Sequence, residues 1–312
     1  MPRDPRTRLV IAFAALYTIW GSTYLAIRVA IETIPPFTMV AIRFLVAGLV
    51  LYAWARRRGA PRPTLRQWRS AALVGTLLLL LGNGGVTWSE TRVTSGIAAL
   101  MVGAEPLWAA IVDWARRGGR RPSLGVGVGL ATGFAGVALL VAPGELGGRG
   151  IDPVAAAVLL VATIGWAIGS VASRHADTPH APMMATGINM IAGSGALWIA
   201  AAVSGGLSSF HPAAVTLRSA LALAYLIVFG SVVAFTAYIW LLRHVSVAKA
   251  STYAYVNPVV AVFLGWLLLG EPVTERTLIA AAVIIAGVVM ISTLPLLGAR
   301  RQPVAELAPQ AD

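Results

Sequence analysis

Residues 252–271 read TYAYVNPVVAVFLGWLLLGE, an apolar stretch long enough to cross a bilayer, with Asn257 and Pro258 side by side near its start. Proline removes a backbone donor and clashes with the carbonyl four residues earlier. Inside lipid, a freed carbonyl and an amide side chain both need partners. The stretch therefore predicts a membrane helix that faces other helices or a polar cavity rather than lipid.

An earlier stretch has the same layout. Residues 93–106 read VTSGIAALMVGAEP, and Glu105–Pro106 lies 152 residues before Asn257–Pro258. Chance similarity between apolar segments is the alternative, but ordered Trp, Pro and Arg landmarks favour a duplication. These landmarks recur 146 or 152 residues apart: Trp20 and Trp166, Arg28 and Arg174, Pro36 and Pro182, Thr64-Leu65-Arg66 and Thr216-Leu217-Arg218, and Trp88 and Trp240.

The bulk composition indicates an integral membrane protein. Of 312 residues, 58% are hydrophobic and only 12% are charged, whereas a soluble domain carries about 25% charged residues. The chain has no cysteine, so it has neither disulfides nor thiol chemistry. Its net charge of +12 comes from short arginine clusters between apolar blocks. This pattern is typical of membrane topology signals, so we expect no nucleic-acid partner.

Ten apolar blocks are each long enough to cross about 30 Å of hydrocarbon. Five blocks per half force the second half to be inserted upside down, as in many secondary transporters. The sequence therefore predicts an all-α integral membrane fold with ten transmembrane helices in two inverted five-helix repeats, residues 8–142 and 153–296, and a disordered cytoplasmic tail, 297–312. The expected spans are 8–30, 36–55, 68–89, 93–115, 124–142, 153–173, 179–203, 217–242, 246–269 and 276–296.

The distribution of basic residues predicts the orientation. With the N-terminus in the cytoplasm, 17 of the 24 Lys and Arg residues lie in cytoplasmic segments, five lie at the outer side and two lie within spans. The positive-inside rule then predicts a multi-pass protein of the cell inner membrane with both termini in the cytoplasm.

Three motifs carry a family resemblance. They are WGSTYLAIRVAIETIPPF at residues 20–37, TYAYVNPVVAVFLG from Thr252, and LLLGE at residues 267–271. Together they resemble the EamA-type proteins of the drug/metabolite transporter superfamily. The resemblance covers nearly the whole chain and implies ten helices, two EamA repeats and export of small metabolites or drugs. The first half departs from the pattern, because Gly118–Gly119 stands where a Gly-Glu pair would follow its fourth span.

Polar and aromatic residues at membrane depth are the candidates for a solute cavity, since ionisable groups there are functional by default. For the aromatic residues, cavity lining and helix packing both remain open. For Arg43 and Glu105, a fold-holding ion pair and a functional role both remain open. The candidate residues are Trp20, Tyr24, Arg43, Asn83, Glu105, Trp166, Asn189, Tyr253 and Asn257.

The duplication also predicts pairings. It maps Arg43 onto Asn189 and Glu105 onto Asn257. We therefore expect Arg43 to lie close to Glu105, and Asn189 to lie near Asn257. Burial raises the pKa of a carboxyl group, which makes Glu105 the candidate for proton coupling.

Three further interpretations concern local positions. Gly82-Asn83-Gly84-Gly85 is a poor helical stretch and predicts a local break near the cavity. Glycines in the fifth span, at positions 125, 127, 129 and 133, favour close helix packing over a dinucleotide loop. Glu90 and Asp113 are expected to be solvated or interfacial because they lie near span ends, and Lys249 is expected to extend towards the membrane surface.

No enzyme motif is recognisable: the chain has no P-loop, no H-E-x-x-H and no G-x-S-x-G. We expect no cofactor and no metal site. The predicted function is an inner-membrane secondary transporter that exports a small organic metabolite, amino acid or drug by alternating access, with a proton or an exchanged solute as possible coupling partner. The alternatives are a membrane enzyme that acts on lipid-linked substrates and a scaffold or receptor without flux. Monomer and homodimer both remain open.

Overall fold

The computed structural model describes residues 5–115, 123–141, 151–245 and 253–299, and within these ranges all regular structure is helical. Lys249 and Gly118–Gly119 lie outside the described residues. The last helix continues to Ala299, three residues past the predicted end of the last span. The helices are α1 (Pro5–Ala30), α2 (Pro36–Arg57), α3 (Leu65–Ser89), α4 (Ser95–Ala115), α5 (Leu124–Val141), α6 (Pro153–Ser173), α7 (Pro182–Val203), α8 (217–244), α9 (Tyr253–Leu269) and α10 (Glu275–Ala299).

Several of these helices are suited to a membrane. Within the described ranges, seven are long and apolar enough to cross one by length and composition: α1, α2, α3, α4, α6, α7 and the first 22 residues of α8. Two shorter apolar segments, Leu124–Leu140 and Val256–Leu269, lie in α5 and α9. The chain is therefore an all-helical, multi-pass membrane protein.

Helix starts are set by proline and by hydroxyl caps. Pro36 and Pro182 occupy the first position of α2 and α7, where the missing N–H would lack a helical partner in any case. Thr64 accepts from the backbone N–H of Gln67 in a reciprocal capping box. Thr216 caps α8 by accepting from the backbone N–H of Ser219, without the reciprocal bond. The same residue types therefore begin corresponding helices in both halves.

Glycine allows two helix pairs to approach closely. A Cβ on Gly48 of α2 would lie 2.9 Å from the carbonyl oxygen of Gly187 in α7, and a Cβ on Gly287 of α10 would meet the backbone of Gly133 in α5. Small residues allow close backbone approach in membrane proteins. The packing expected for the fifth span is therefore found at Gly133, whereas Gly127 faces open space.

Helices of one half also pack against helices of the other half. Helix α1 packs against α8 and α9, and its counterpart α6 packs against α3 and α4. One large buried cluster combines side chains of α4, α5, α6 and α10, and another combines α1, α2, α7 and α8. Both clusters therefore draw side chains from the two halves.

Two helices contain π-helical turns. They span Thr76–Gly84 in α3 and Leu226–Val233 in α8. The Gly-Asn-Gly-Gly stretch therefore does not break α3 as predicted, because a wider turn absorbs the poor helix formers and the helix continues. The Asn83 side-chain amide donates to the carbonyl of Leu78, five residues earlier, at 3.3 Å.

Candidate functional site

One cavity of about 120 Å³ lies where α1, α2, α3, α4, α6, α8 and α9 meet. Of the nine candidate residues, Asn189 is the one that is not among those lining the cavity. Its carbonyl oxygen faces Gly75 of α3. The structure thus separates Asn189 from the cavity that holds Asn257. The candidates that line the cavity are Trp20, Tyr24, Arg43, Asn83, Glu105, Trp166, Tyr253 and Asn257.

Trp20 forms one wall of the cavity and also packs against neighbouring helices. Its indole N–H donates to the carbonyl of Gly230 at 3.1 Å. Its ring centroid lies 5.4 Å from those of Phe235 and Tyr238 and 4.7 Å from that of Tyr253. Edge-to-face contacts of this kind fix ring orientation. Trp20 therefore both lines the cavity and packs against other helices, two roles that the sequence left open as alternatives.

Trp166 has a related environment in the other half. A Cβ on Gly82 would lie 2.6 Å from the Trp166 ring, so the indole rests on the π-helical turn of α3. Trp20 contacts Gly230, which belongs to the π-helical turn of α8. Each tryptophan therefore lies against a glycine of a π-helical turn, and each π-helical turn belongs to the opposite half.

Arg43 presents a guanidinium group to the cavity although only 4% of the residue is exposed. Its Nε donates to Ser231 Oγ at 2.9 Å, and its guanidinium lies 4.8 Å from the centroid of the Phe44 ring. These contacts combine a hydrogen bond with a cation–π interaction. The carboxyl with which Arg43 interacts electrostatically is Glu90. No ion pair joins Arg43 to Glu105 in the part of the chain that the structure describes, although both line the same cavity; a water-bridged contact between them stays a prediction.

Glu105 lies at an interruption of α4. The regular α-helix is interrupted at Ala104, and Pro106 has no N–H to donate. The backbone N–H of Leu107 donates to the carbonyl of Ala104 at 3.0 Å. Glu105 lines the cavity together with Arg43. A basic and an acidic residue therefore share one small space, and within the described residues no ion pair joins them.

Asn257 and Pro258 also belong to the cavity wall. Asn257 is 7% exposed, and its Oδ1 accepts no hydrogen bond from the described residues. Buried amide oxygens normally have a donor. The Asn257 Oδ1 is therefore a buried acceptor without a donor among the described residues.

Glu271 has a structural role that the sequence did not reveal. Gly270 adopts a positive φ of 65°, and the N–H of Glu271 bonds back to the carbonyl of Gly265, a helix-ending geometry that glycine favours. The turn brings the Glu271 carboxylate to the start of α4, where it accepts from the backbone N–H groups of Ser95 and Gly96 at 2.8 and 3.2 Å, and from Ser95 Oγ at 2.8 Å. The Gly-Glu pair therefore closes α9 and caps α4.

Glu90 contradicts its expected solvated position. It follows the last residue of α3, yet it is 0% exposed, and neither carboxyl oxygen has a hydrogen-bond partner in the described residues. Residues from α1, α2 and the segment after α9 enclose it: Arg28, Arg43 and Glu271 are the charged groups that interact with it. Its local sequence gave no signal of burial, because the covering residues are distant in the chain.

Two other residues near the cavity were not predicted. Ser231 was not predicted because its importance depends on the π-helical turn, and Phe235 was not predicted because an apolar ring in an apolar span carries no distinguishing signal. Within the described residues, no group of three or more His, Asp or Glu side chains is arranged to hold a metal ion.

Comparison with known proteins agrees with this architecture. The EamA-like transporter family matches residues 7–142 and again residues 154–293. The chain belongs to the EamA-like transporter family. This places it in the drug/metabolite transporter superfamily, among membrane transporters.

Relatives of this EamA-family chain extend across bacteria and plants. It is 43% identical over 282 residues to the "Uncharacterized inner membrane transporter YedA" of Escherichia coli (strain K12), with 90% of this chain and 89% of the relative covered. It is 28% identical over 289 residues to the "WAT1-related protein At3g02690, chloroplastic" of Arabidopsis thaliana, covering 88% and 67%. A solved structure, described only as a "Crystal structure of protein", superposes with a TM-score of 0.63 at 20% identity, over 96% of this chain and 100% of the other; it shows the fold alone.

Proposed function

We propose that this protein is an inner-membrane secondary transporter that exports a small organic solute by alternating access through the cavity between its halves. The observation that carries the proposal is the cavity itself. It presents Arg43, Glu105 and Asn257 among aromatic rings, in a protein that belongs to a transporter family. A few convergent polar groups on an otherwise apolar wall are typical of small-molecule sites.

The lining groups suggest the class of solute. Arg43 can donate hydrogen bonds to a carboxylate of the solute, and Glu105 can accept them from an ammonium group. Trp20, Trp166 and Tyr253 provide aromatic surface for an apolar part of the solute. A volume of about 120 Å³ has room for on the order of ten water-sized groups. We therefore favour a small zwitterionic metabolite such as an amino acid, and a compact drug with the same charges would fit the same contacts.

Alternating access is proposed to follow from ten membrane-crossing helices in two inverted repeats. The double match of the family to residues 7–142 and 154–293 supports this. So do two ion pairs, Arg66 with Asp177 at 3.4 Å and Arg218 with Glu32 at 3.6 Å. The arginines are 152 residues apart, and the two acids lie within one residue of equivalent positions. Exposed pairs of this kind contribute little stability, so their value here is as markers of equivalent geometry. In this arrangement both termini are cytoplasmic.

Flux measured in vesicles of purified protein tests the proposal. The probes are radiolabelled amino acids and matched compounds that carry only the carboxylate or only the ammonium group. We expect counterflow of at least one zwitterion, and a loss of at least about tenfold in Tyr253→Ala, equivalent to about 1.4 kcal/mol.

The matched control is Trp54→Ala. Trp54 is a large aromatic residue of α2 that is 39% exposed and does not line the cavity. It should retain wild-type flux. Absence of flux for every probe in folded wild-type protein would count against a transporter, and equal loss in both variants would show that Tyr253 acts only in packing.

A further inference from the structure

Glu90 occupies a position next to the cavity but outside it. Val86 lines the cavity, and Glu90 lies four residues further along the same helix direction, hence on the same face. Its side chain is completely buried. The residue is therefore separated from the solute cavity by about one helical turn.

The neighbouring cations are engaged elsewhere. A guanidinium nitrogen of Arg28 donates to the main-chain carbonyl of Glu90, not to its carboxyl group. Arg43 donates its Nε to Ser231 Oγ and lies over the Phe44 ring. Neither arginine comes within ion-pair distance of the Glu90 carboxyl in the described residues. The carboxyl group is thus near two positive charges but bonded to neither.

The other carboxyl at this end of the bundle is fully engaged. Glu271 accepts three hydrogen bonds from Ser95 and Gly96. It also interacts electrostatically with Glu90, and two like charges in one place oppose each other. The remaining titratable group that faces Glu90 is Tyr24 of α1. Burial without hydrogen bonds also disfavours an ionised carboxyl.

From this geometry we propose that Glu90 is a proton-binding site, occupied in the present conformation and emptied when the end of the bundle formed by α1, α2 and α3 opens. Binding forms one O–H bond between a proton from water and a carboxyl oxygen; release returns the proton to water, and no other bond changes. After release, the ionised carboxyl pairs with the guanidinium of Arg43, which links its protonation to a wall of the solute cavity. The coupling to solute rests on the proposed transport function; the proton site does not.

Infrared spectroscopy of the purified full-length chain tests proton binding without any solute. An ordinary glutamate has a pKa of about 4.3 and is ionised at pH 7. We expect the carbonyl stretch of a protonated carboxylic acid at pH 7 in the wild type. The band should lose intensity in Glu90→Gln and keep its intensity in Glu271→Gln and in Glu32→Gln. Glu32 is the matched control because it is a partly exposed carboxyl after α1 that pairs with Arg218.

Two results would overturn the proton site. One is the absence of the band from the wild type at pH 7, and the other is a band that Glu90→Gln leaves unchanged. If Glu90→Gln does not fold, Glu90→Asp keeps the carboxyl group and moves it by one methylene. The pH midpoint of the band should then shift, and an unshifted midpoint counts against the site.

A second measurement tests the coupling. In vesicles with an imposed pH gradient, amino-acid flux through the wild type and through Glu32→Gln should respond to the gradient, and flux through Glu90→Gln should not. A response retained in Glu90→Gln would refute the coupling. If wild-type vesicles show no flux at all, the transport proposal fails, while the infrared result still decides the proton site.

Discussion

The two halves of the molecule share features of helix packing but differ in their ionisable residues. Trp20 and Trp166 each lie against a glycine of a π-helical turn in the opposite half. Yet the first half carries Arg43 and Glu105 where the duplication places amides in the second, and it carries Glu90 where the second has Leu242. The two halves are therefore alike in this packing, whereas at these three positions the ionisable groups are in the first half.

The difference has a physical reason. An ionisable group at membrane depth costs at least about 2.5–3.5 kcal/mol on insertion scales. A single cavity between the halves needs one set of such groups, and a second set would double the cost without adding a site. Helix caps, glycine contacts and aromatic packing are needed separately in each half. We therefore infer that function in this fold is set by one repeat and geometry by both.

The sharpest test of the shared frame is topology. If the halves are inverted, the connections at 56–67 and 204–216 lie on opposite sides of the membrane. The chain has no native cysteine, so Arg62→Cys and Ala213→Cys introduce single exposed labels. We expect an impermeant thiol reagent on intact cells to label Ala213→Cys, and to label Arg62→Cys only after permeabilisation. Labelling of both from one side would show that the repeats are not inverted.

The second test replaces Arg43 of the first half by asparagine, the residue found at the corresponding position 189 of the second half. Arg43→Asn removes the donor to Ser231 and the cation from the cavity, so solute flux should fall at least about tenfold, or about 1.4 kcal/mol. Because no ion pair joins Arg43 to Glu105 in the described residues, adding Glu105→Gln should not restore flux. The control, Asn189→Ala, should keep flux within about twofold.

Restored flux in the double variant would instead establish an Arg43–Glu105 pair in the working cycle. That result would return the two residues to the fold-holding role left open from the sequence.

The third test compares the two glycine-packed helix pairs. A Cβ at Gly187 would lie 2.9 Å from the backbone of α2, and one at Gly287 would meet the backbone of α5. Overpacking of this kind costs about 1–3 kcal/mol, so Gly187→Ala and Gly287→Ala should both lower the unfolding temperature of the purified protein. Gly195 and Gly127 face open space, and alanine at either should be neutral or slightly stabilising. If only one helix pair is sensitive, the pairs are not equivalent.

The smallest expected effect concerns the start of α6. The N–H of Ala155 is the largest cause that lowers the pKa of Asp152. Desolvation opposes it, and the N–H of Val154 and the side chain of Arg92 lower the pKa further. A carboxyl whose pKa is lower in the folded state stabilises the protein above its unfolded pKa of about 3.9. That contribution to stability is lost as the pH falls through the pKa of Asp152 in the folded protein. Asp152→Asn should therefore show a smaller loss of thermal stability below about pH 4 than the wild type, and identical profiles would exclude a stabilising role of the carboxylate.

Local signals predicted the helices well. Pro182 begins α7 within three residues of the expected start, and the predicted span 153–173 has the bounds observed for α6, because hydrophobicity and proline act along the chain. The partners of charged groups were not predictable in this way. Ser231 is 188 residues from Arg43, and Glu90 is enclosed by residues of three distant segments. Burial and pairing of this kind are set by tertiary packing, which local sequence does not record.

The cap that Glu271 supplies to α4 has a consequence for biogenesis. The donors at Ser95 and Gly96 wait for an acceptor 176 and 175 residues later in the chain. At a synthesis rate of about 5–20 residues per second, the interval is roughly 10–35 s. During that time the fourth helix of the nascent protein lacks the carboxylate that completes its first turn. We therefore expect the cap of the fourth helix to form only after Glu271, which follows the ninth helix, has been synthesised.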